Sequence, residues 1–103
     1  MTISKAEIKV PDVVGVEVTE DALTVELSDG RTISVPLAWY PRLLHATPKE
    51  RDHWRLIGKG QGIHWNDLDE DISAENLIVG RPSGESQTSL MRWLERREKK
   101  TNE

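Results

Sequence analysis

The sequence contains no cysteine and no phenylalanine, and it has no long apolar run. The absence of cysteine excludes disulfide bridges, a thiolate nucleophile and any metal site built on cysteine. No stretch approaches the roughly 20 apolar residues that a membrane-spanning helix needs. Residues 1–10 also lack the apolar core of a secretory signal. We therefore expect a cytoplasmic protein that does not enter a membrane.

Charge is distributed unevenly along the chain. Residues 1–85 carry nine Lys or Arg and fifteen Asp or Glu, whereas residues 86–103 carry five and three. An acidic body disfavours broad nucleic-acid binding, which depends on neutralising phosphates with Lys and Arg. The C-terminal segment is the only part of the chain whose charge would attract a polyanion. At 103 residues, the chain is long enough for one hydrophobic core.

The first third of the chain has the pattern of a β-meander. A β-branched run begins at Val13, and two segments that alternate apolar and polar residues follow, at Leu23–Leu27 and Thr32–Val35. Asp29-Gly30 between the last two is typical of a two-residue hairpin turn. The pattern predicts a three-stranded antiparallel sheet that Pro36 terminates.

Helix signals follow the meander. Pro41 fits the first turn of a short helix over about Tyr40–His45. Thr47 and Glu50 form a capping-box pattern with Pro48 between them, which predicts a helix from Pro48 to about Trp54, or as far as Ile57.

The next segment combines a short strand and another helix. Ile63–Trp65 is expected to add a brief strand to the sheet, and Asn66–Asp71 is expected to be a polar connection. Ser73 is a suitable N-cap for a helix from Ala74 to about Val79, and Gly80 is a suitable stop.

The end of the chain predicts a separate amphipathic helix. Residues 81–84 read as a flexible boundary, and Ser86 or Thr88 can cap a helix that reaches about Lys99. The predicted organisation is therefore a single α+β domain over residues 1–80, followed by a linker and an amphipathic helix over residues 81–103. The domain is a small antiparallel sheet, made of the meander and the later strand, packed by two or three short helices.

Four segments carry a resemblance to a known family. They are LSDGR (Leu27–Arg31), VPLAWYPRL (Val35–Leu43), ATPKER (Ala46–Arg51) and GIHWNDLDEDIS (Gly62–Ser73). Over Val13–Gly80 the chain resembles the bacterial domain-of-unknown-function family 2442. Departures from that family's pattern occur at His53, Asn66 and Asn76.

The resemblance implies a small α+β domain without established catalytic residues. It also implies short cytoplasmic proteins that are often encoded beside another small protein, which suggests a partner-binding or antitoxin-like role by association. Some relatives carry a DNA-binding helical domain after this one. Residues 81–103 leave room for one helix only, so that activity does not transfer.

The acidic cluster of Asp67, Asp69, Glu70 and Asp71 has two interpretations. Alternating carboxylates are suitable ligands for Ca²⁺ or Mg²⁺, but the EF-hand pattern fails because it requires residues other than Ile at positions 72 and 78. The other interpretation is a capped turn, in which the carboxylates accept backbone N–H groups and favour the following helix dipole.

The four tryptophans divide between the two parts of the chain. In a chain without phenylalanine, Trp39, Trp54 and Trp65 are expected to supply bulky core, and they form a structural motif together with Asp69 and Asp71. The fourth, Trp93, lies on the apolar stripe of the terminal helix. That stripe either folds back on the sheet or docks on another chain.

We predict a non-enzymatic protein-interaction or regulatory module. Its partner-binding residues would be Leu90, Trp93, Leu94 and Arg97, and its partner would be another protein or a second copy in a homodimer. No catalytic residue, cofactor or metal is assigned.

Two alternatives remain open. One is a DNA-binding regulator that acts through the basic residues of the tail, which are Arg92, Arg96, Arg97, Lys99 and Lys100. The other is a small metal-dependent hydrolase that uses the Asp67–Asp71 cluster, with Asp69, Asp71 and a histidine at its centre.

Overall fold

Two antiparallel sheets and a set of short helices make up the chain over residues 10–101, which are the residues that the computed structural model describes, with side chains through residue 99. The strands are β1 (Val13–Val18), β2 (Ala22–Leu27), β3 (Thr32–Pro36), β4 (Trp54–Ile57), β5 (Gly62–Trp65) and β6 (Glu70–Ser73). The α-helices are α1 (Pro41–Leu44), α2 (Pro48–Asp52), α3 (Ala74–Val79) and α4 (Gln87–Thr101). The predicted α+β class is confirmed.

The first sheet is the predicted meander, with strand order β1-β2-β3. Val25 of β2 pairs with Val16 on one side and with Ile33 on the other, so the apolar residues of the three strands share one face. The hairpin between β2 and β3 has a three-residue loop, residues 28–30, instead of the expected two, because Leu27 and Arg31 are hydrogen-bonded across its base. Leu27 N–H donates to Arg31 O at 2.8 Å, and Gly30 adopts φ +92°. This is the loop in which glycine takes the left-handed position.

The second sheet, in the order β4-β5-β6, differs from the prediction. The strand expected at Ile63–Trp65 does not add to the meander, because β5 pairs with β4 and β6. Helix α2 ends at Asp52, so the extension to Trp54 or Ile57 was wrong. The polar connection ends at residue 69, because residues 70–73 form β6.

Two predicted helix starts are confirmed in detail. Thr47 Oγ1 accepts Glu50 N–H at 3.1 Å, and Glu50 Oε1 accepts Thr47 N–H at 2.9 Å, which completes the capping box of α2. Ser73 Oγ accepts Asn76 N–H at 3.0 Å at the start of α3. Gly80 ends α3 with φ +76°.

Both sheets contribute to one buried cluster. Its fully buried members include Leu23 and Val25 from the meander and Ile63 and Trp65 from the second sheet. The two sheets also meet through the backbone. Gly60 lies so close to β1 that a Cβ built on it would be 2.6 Å from Val13 O. Residue 60 therefore has to lack a side chain.

Candidate functional site: the groove that holds the C-terminal helix

Helix α4 packs its apolar stripe on the body, which we define as residues 10–80. Ser86 Oγ accepts Ser89 N–H at 3.0 Å and caps the helix, as one of the two predicted caps. Trp93 is only 5% exposed, and Leu90 and Leu94 pack against the buried cluster at its margin. In the structure the apolar stripe folds back onto the body, which is one of the two arrangements predicted for it.

Two guanidinium groups lie over the Trp93 ring. The Cζ atom of Arg97 is 4.6 Å from the ring centroid, and the Cζ atom of Arg42 is 5.3 Å from it. Arg97 belongs to α4, whereas Arg42 belongs to α1 of the body. Cations at this distance are attracted by the negative face of an indole ring. Trp93 is therefore held by apolar packing and by charge, partly from each side of the contact.

Arg42 connects three segments of the chain. Its Nε and Nη2 donate to both carboxylate oxygens of Glu85, at 2.7–3.0 Å. Its Nη1 donates to Leu68 O at 3.0 Å and to Asp69 O at 3.3 Å, in the turn between β5 and β6. The side chains of Arg42 and Glu85 are 14% and 10% exposed, so this bidentate pair is largely shielded from water.

A second bidentate pair fixes the middle of α4. Arg97 Nη1 and Nη2 donate to the two oxygens of Glu50 at 2.9 and 2.8 Å. These bonds, together with the Thr47 backbone bond, lower the pKa of Glu50 to about 2. The same carboxylate therefore caps α2 and anchors α4. The capping box of α2 orients Glu50, and Arg97 of α4 is the largest cause that favours its ionised form.

The linker, residues 81–86, is tied to the body by hydrogen bonds. Tyr40 Oη donates to Arg81 O at 3.2 Å, and Ser83 N–H donates to Trp39 O at 3.0 Å. Glu85 accepts a bond from Ser89 Oγ at 2.8 Å in addition to the bonds from Arg42. These bonds lower the pKa of Glu85 below its ordinary value, with the Arg42 bonds the largest cause. The linker is therefore an ordered connection that directs α4 onto the body.

An open cleft of about 790 Å³ runs beside the docked helix. Thr47, Glu50, Asn66 and Asp67 line its body side, and Trp93, Arg96 and Arg97 line its helix side. We call this surface of the body the docking groove: Arg42 and Glu50 contact Trp93 and Arg97 of α4, and Thr47, Asn66 and Asp67 line the cleft at the edge of the contact. All five residues belong to segments on which the family resemblance rests.

The acidic cluster separates into individual contacts. Asp67 pairs with His53 Nδ1 at 2.7 Å, and Asp71 pairs with His64 Nδ1 across the second sheet. Asp69 adopts φ +50°. Ser73 caps α3, the helix that follows the cluster, as predicted. Among the residues with described side chains, no group of three or more His, Asp or Glu is placed to share a metal ion.

The other tryptophans differ in depth. Trp65 is fully buried, and its Nε1–H donates to Arg51 O at 3.0 Å. Trp39 and Trp54 are half-buried at the margin of the cluster. Trp54 is therefore part of a strand facing the core, and not of the predicted helix.

Glu70 is a half-buried carboxylate directly beside this site. Burial is the largest cause that raises its pKa, to about 7, and the charges of Glu85 and Asp71 add to it. Arg42 acts in the opposite direction. Glu70 pairs in register with the fully buried Trp65, which explains its low hydration.

The sequence interpretation missed the body side of this site. Of the four predicted partner-binding residues, Leu90, Trp93, Leu94 and Arg97, all lie on the inner face of α4, but their counterparts Arg42 and Glu50 were not identified. Arg42 and Glu85 are 43 positions apart. The sequence offered one signal for Arg42, which is its position between Pro41 and two leucines in a very short helix.

No helix in the described part of the chain is long and apolar enough to cross a membrane. Comparison with known proteins gave a family model, described as protein of unknown function (DUF2442), that matches residues 13–83. No curated protein matched.

Two solved structures are similar to this chain. A crystal structure of a protein of unknown function from Rhodospirillum rubrum has a TM-score of 0.62 at 23% identity, covering 78% of this chain and 96% of that one. A solution NMR structure of an uncharacterized protein from Chromobacterium violaceum has a TM-score of 0.60 at 20% identity, covering 79% and 74%. At these identities the similarity shows the fold alone.

The match of residues 13–83 takes in both sheets, α1, α2, α3 and the start of the linker, and it ends before α4 begins at Gln87. On this match, the chain belongs to the DUF2442 family of proteins of unknown function.

Proposed function

We propose that this protein is a non-enzymatic interaction module whose body binds an amphipathic helix. Helix α4 is the resident occupant of the docking groove, and a helix of another protein or of a second copy takes its place. The observation that carries the proposal is Trp93, buried between body and helix with Arg42 and Arg97 over its ring. An aromatic anchor on an amphipathic helix is a common way for a protein to recognise a helical partner.

The boundary of the family match supports this division into receptor and occupant. The match ends at residue 83, whereas every α4 residue that contacts the groove lies beyond it. The groove residues Arg42 and Glu50 lie within the match. Glu50 is also set in place by the capping box of α2, which does not involve α4. The receptor side is thus built by the family domain, and the occupant is an addition to it.

The energetics favour a docked helix that still exchanges. A fully buried indole removes roughly 150–250 Å² of surface from water. Against this stands the cost of ordering a helix of 15 residues, a length that is only marginally stable in isolation. A partner helix that offers the same anchor and basic residue would compete for the groove by mass action.

The test uses the full-length chain with Trp93→Ala, in which the resident helix loses its anchor. A fluorescent peptide with the sequence of residues 86–101 should bind this variant with a dissociation constant of about 10–100 µM. Binding to the wild-type chain should be at least about tenfold weaker, because the groove is occupied. Fluorescence polarisation measures both affinities.

Two matched peptides serve as controls. Trp93→Ala in the peptide should abolish binding, whereas Arg92→Ala, on the exposed side of α4, should leave it within about twofold. Absence of binding to the Trp93→Ala chain, or equal binding of the two altered peptides, would exclude the docking groove as a receptor.

An antitoxin-like role is one form of this proposal, in which the partner is a neighbouring small protein. The proposal also keeps the protein non-enzymatic. In support of this, Asp67 and Asp71 each contact a different histidine instead of converging, as a metal-dependent hydrolase on Asp69 and Asp71 would require.

A second candidate, DNA binding, has one supporting observation. Arg92, Arg96 and Lys99 are all exposed, and their spacing places them on one stripe of α4. Arg97 faces inward to Glu50, and the Lys100 side chain lies outside the described residues. DNA binding through this stripe predicts an affinity for duplex DNA that falls steeply with salt and is lost in Arg92→Ala/Arg96→Ala. No binding at low salt would remove this candidate.

A further inference from the structure

One ionisable group in the body, Glu70, lacks a counter-charge of its own. It lies on β6 next to Trp65, on the side of the second sheet that faces the core. The ion pairs found among the described side chains do not include it. A half-buried carboxylate in this position costs free energy when it ionises, because a hydrogen bond from the Asp71 backbone N–H replaces only part of its lost hydration.

The nearby cation is already committed. Arg42 donates to both oxygens of Glu85 and to two carbonyls of the turn that leads into β6. Glu85 and Glu70 therefore depend on a single guanidinium, and only Glu85 is bonded to it. Because Glu85 lies on the linker, the choice that Arg42 makes between the two carboxylates also decides how firmly the linker and α4 are held.

Apart from Arg42 and the backbone N–H of Asp71, the groups near Glu70 do not stabilise its charge. Tyr40, which immediately precedes α1, has its pKa raised by burial first and by the charge of Glu70 second. Asp71 on the same strand and Glu85 on the linker both repel an ionised Glu70, so Arg42 is the cation that acts on it. The cluster thus holds more negative than positive charge once Glu70 loses its proton.

We propose that the linker and α4 form a pH-sensitive latch, in which Arg42 passes from Glu85 to Glu70 when Glu70 ionises, so that α4 leaves the docking groove more often as pH rises. This regulates the proposed interaction site and rests on that function for its biological role. The latch itself is a property of the isolated chain, and no partner is needed to observe it.

The direction follows from linkage. In the closed state the pKa of Glu70 is raised from 4.5 to about 7. Opening removes the repulsion by Glu85 and frees Arg42 from Glu85, whereas burial beside Trp65 in the second sheet remains. Raising the pH through this range therefore favours the open state. Because opening restores only part of the ordinary pKa, the open-to-closed ratio increases about threefold between about pH 6 and about pH 8.

The experiment measures amide hydrogen exchange of residues 90–97 in the full-length protein at about pH 6 and about pH 8. Wild type is compared with Glu70→Gln at each pH, so that the intrinsic pH dependence of exchange cancels. We expect α4 of the wild type to open about threefold more at the higher pH relative to Glu70→Gln. In Glu85→Gln, α4 should open readily at both pH values, and carboxyl NMR should give a lower pKa for Glu70.

Equal pH dependence in wild type and Glu70→Gln would overturn the latch. An unchanged pKa of Glu70 in Glu85→Gln would overturn it as well, and this readout remains if Glu70→Gln folds poorly. The two proposals fail separately. Loss of peptide binding with a working latch refutes the helix receptor, whereas peptide binding without pH-dependent opening refutes only the latch.

Discussion

Replacing Trp93 by alanine removes the contact on which the docking of α4 depends. Trp93 is 5% exposed, so the substitution removes a side chain that is almost completely buried in the cluster. Burial of roughly 150–250 Å² at about 25 cal/mol per Å² gives an upper limit of about 4–6 kcal/mol. Attraction of the Arg42 and Arg97 guanidinium groups to the ring adds about 0.5–1 kcal/mol for each cation–π contact, which is the value for solvent-exposed pairs.

The measured loss should be smaller than this limit. If the substitution makes docking of α4 unfavourable, α4 leaves the body while the two sheets remain folded. The loss of stability therefore cannot exceed the free energy of docking. We expect the free energy of unfolding to fall by about 2–4 kcal/mol, at the lower end of the range for large-to-small core changes. Because a helix of this length is marginal alone, far-UV circular dichroism should also show lost helix signal before denaturation.

Urea unfolding followed by circular dichroism measures both effects, and Trp93→Phe is the matched control. Phenylalanine keeps an aromatic face for the two guanidinium groups, so it should cost less than half as much as alanine. A loss below about 1 kcal/mol for Trp93→Ala would refute the role of Trp93 as the anchor of α4, because removing a buried anchor should lower the free energy of unfolding by more than that. Equal losses for Phe and Ala would refute the part assigned to the ring.

Three further predictions concern the body. Gly60→Ala should destabilise by about 2–4 kcal/mol in urea unfolding, because its Cβ would lie 2.6 Å from Val13 O at φ +101°; Gly84→Ala, with open space around it, should change stability by less than about 0.5 kcal/mol. Thr47→Ala should cost about 1 kcal/mol through loss of the α2 cap, and an unchanged midpoint would contradict that role. Glu70→Gln should stabilise by about 1–2 kcal/mol at about pH 8 and have little effect at about pH 5, because the native state holds a proton that the unfolded chain releases as pH rises. Equal effects at both pH values would contradict this linkage.

Local signals in the sequence located the elements whose determinants are local. The capping box at Thr47 and the Ser73 cap with its Gly80 stop each lie within a few residues of the bonds that they make. The meander was likewise predictable, since its alternation and its Asp29-Gly30 turn are contiguous patterns. These features needed no knowledge of the rest of the fold.

The second sheet was missed because its strands lack a strand-like pattern. β4 contains only four residues, and its apolar residues also fit a continuation of α2. β6 begins with Glu70 and Asp71, residue types that are depleted in strands. Both strands are stabilised by pairing with β5, whose buried Ile63 and Trp65 supply the tertiary contact that overrides local preference.

The candidate site could be predicted from one side only. Periodicity placed Leu90, Trp93 and Leu94 on one face of a helix, which shows that the face must be buried but not against what. The groove side depends on Arg42 and Glu50, which pair with Glu85 and Arg97 at separations of 43 and 47 positions. No local pattern reports pairings of that range.

The central claim is that α4 is an exchangeable occupant of the docking groove. It is tested most directly by adding unlabelled peptide of residues 86–101 to isotopically labelled wild-type protein and following the amide signals of the protein's own α4 by NMR. The account predicts that these signals move to the positions they have in the Trp93→Ala chain as the peptide saturates the groove. If the peptide binds while the signals of the protein's own α4 stay in place, or if it does not bind at high concentration, the claim is contradicted.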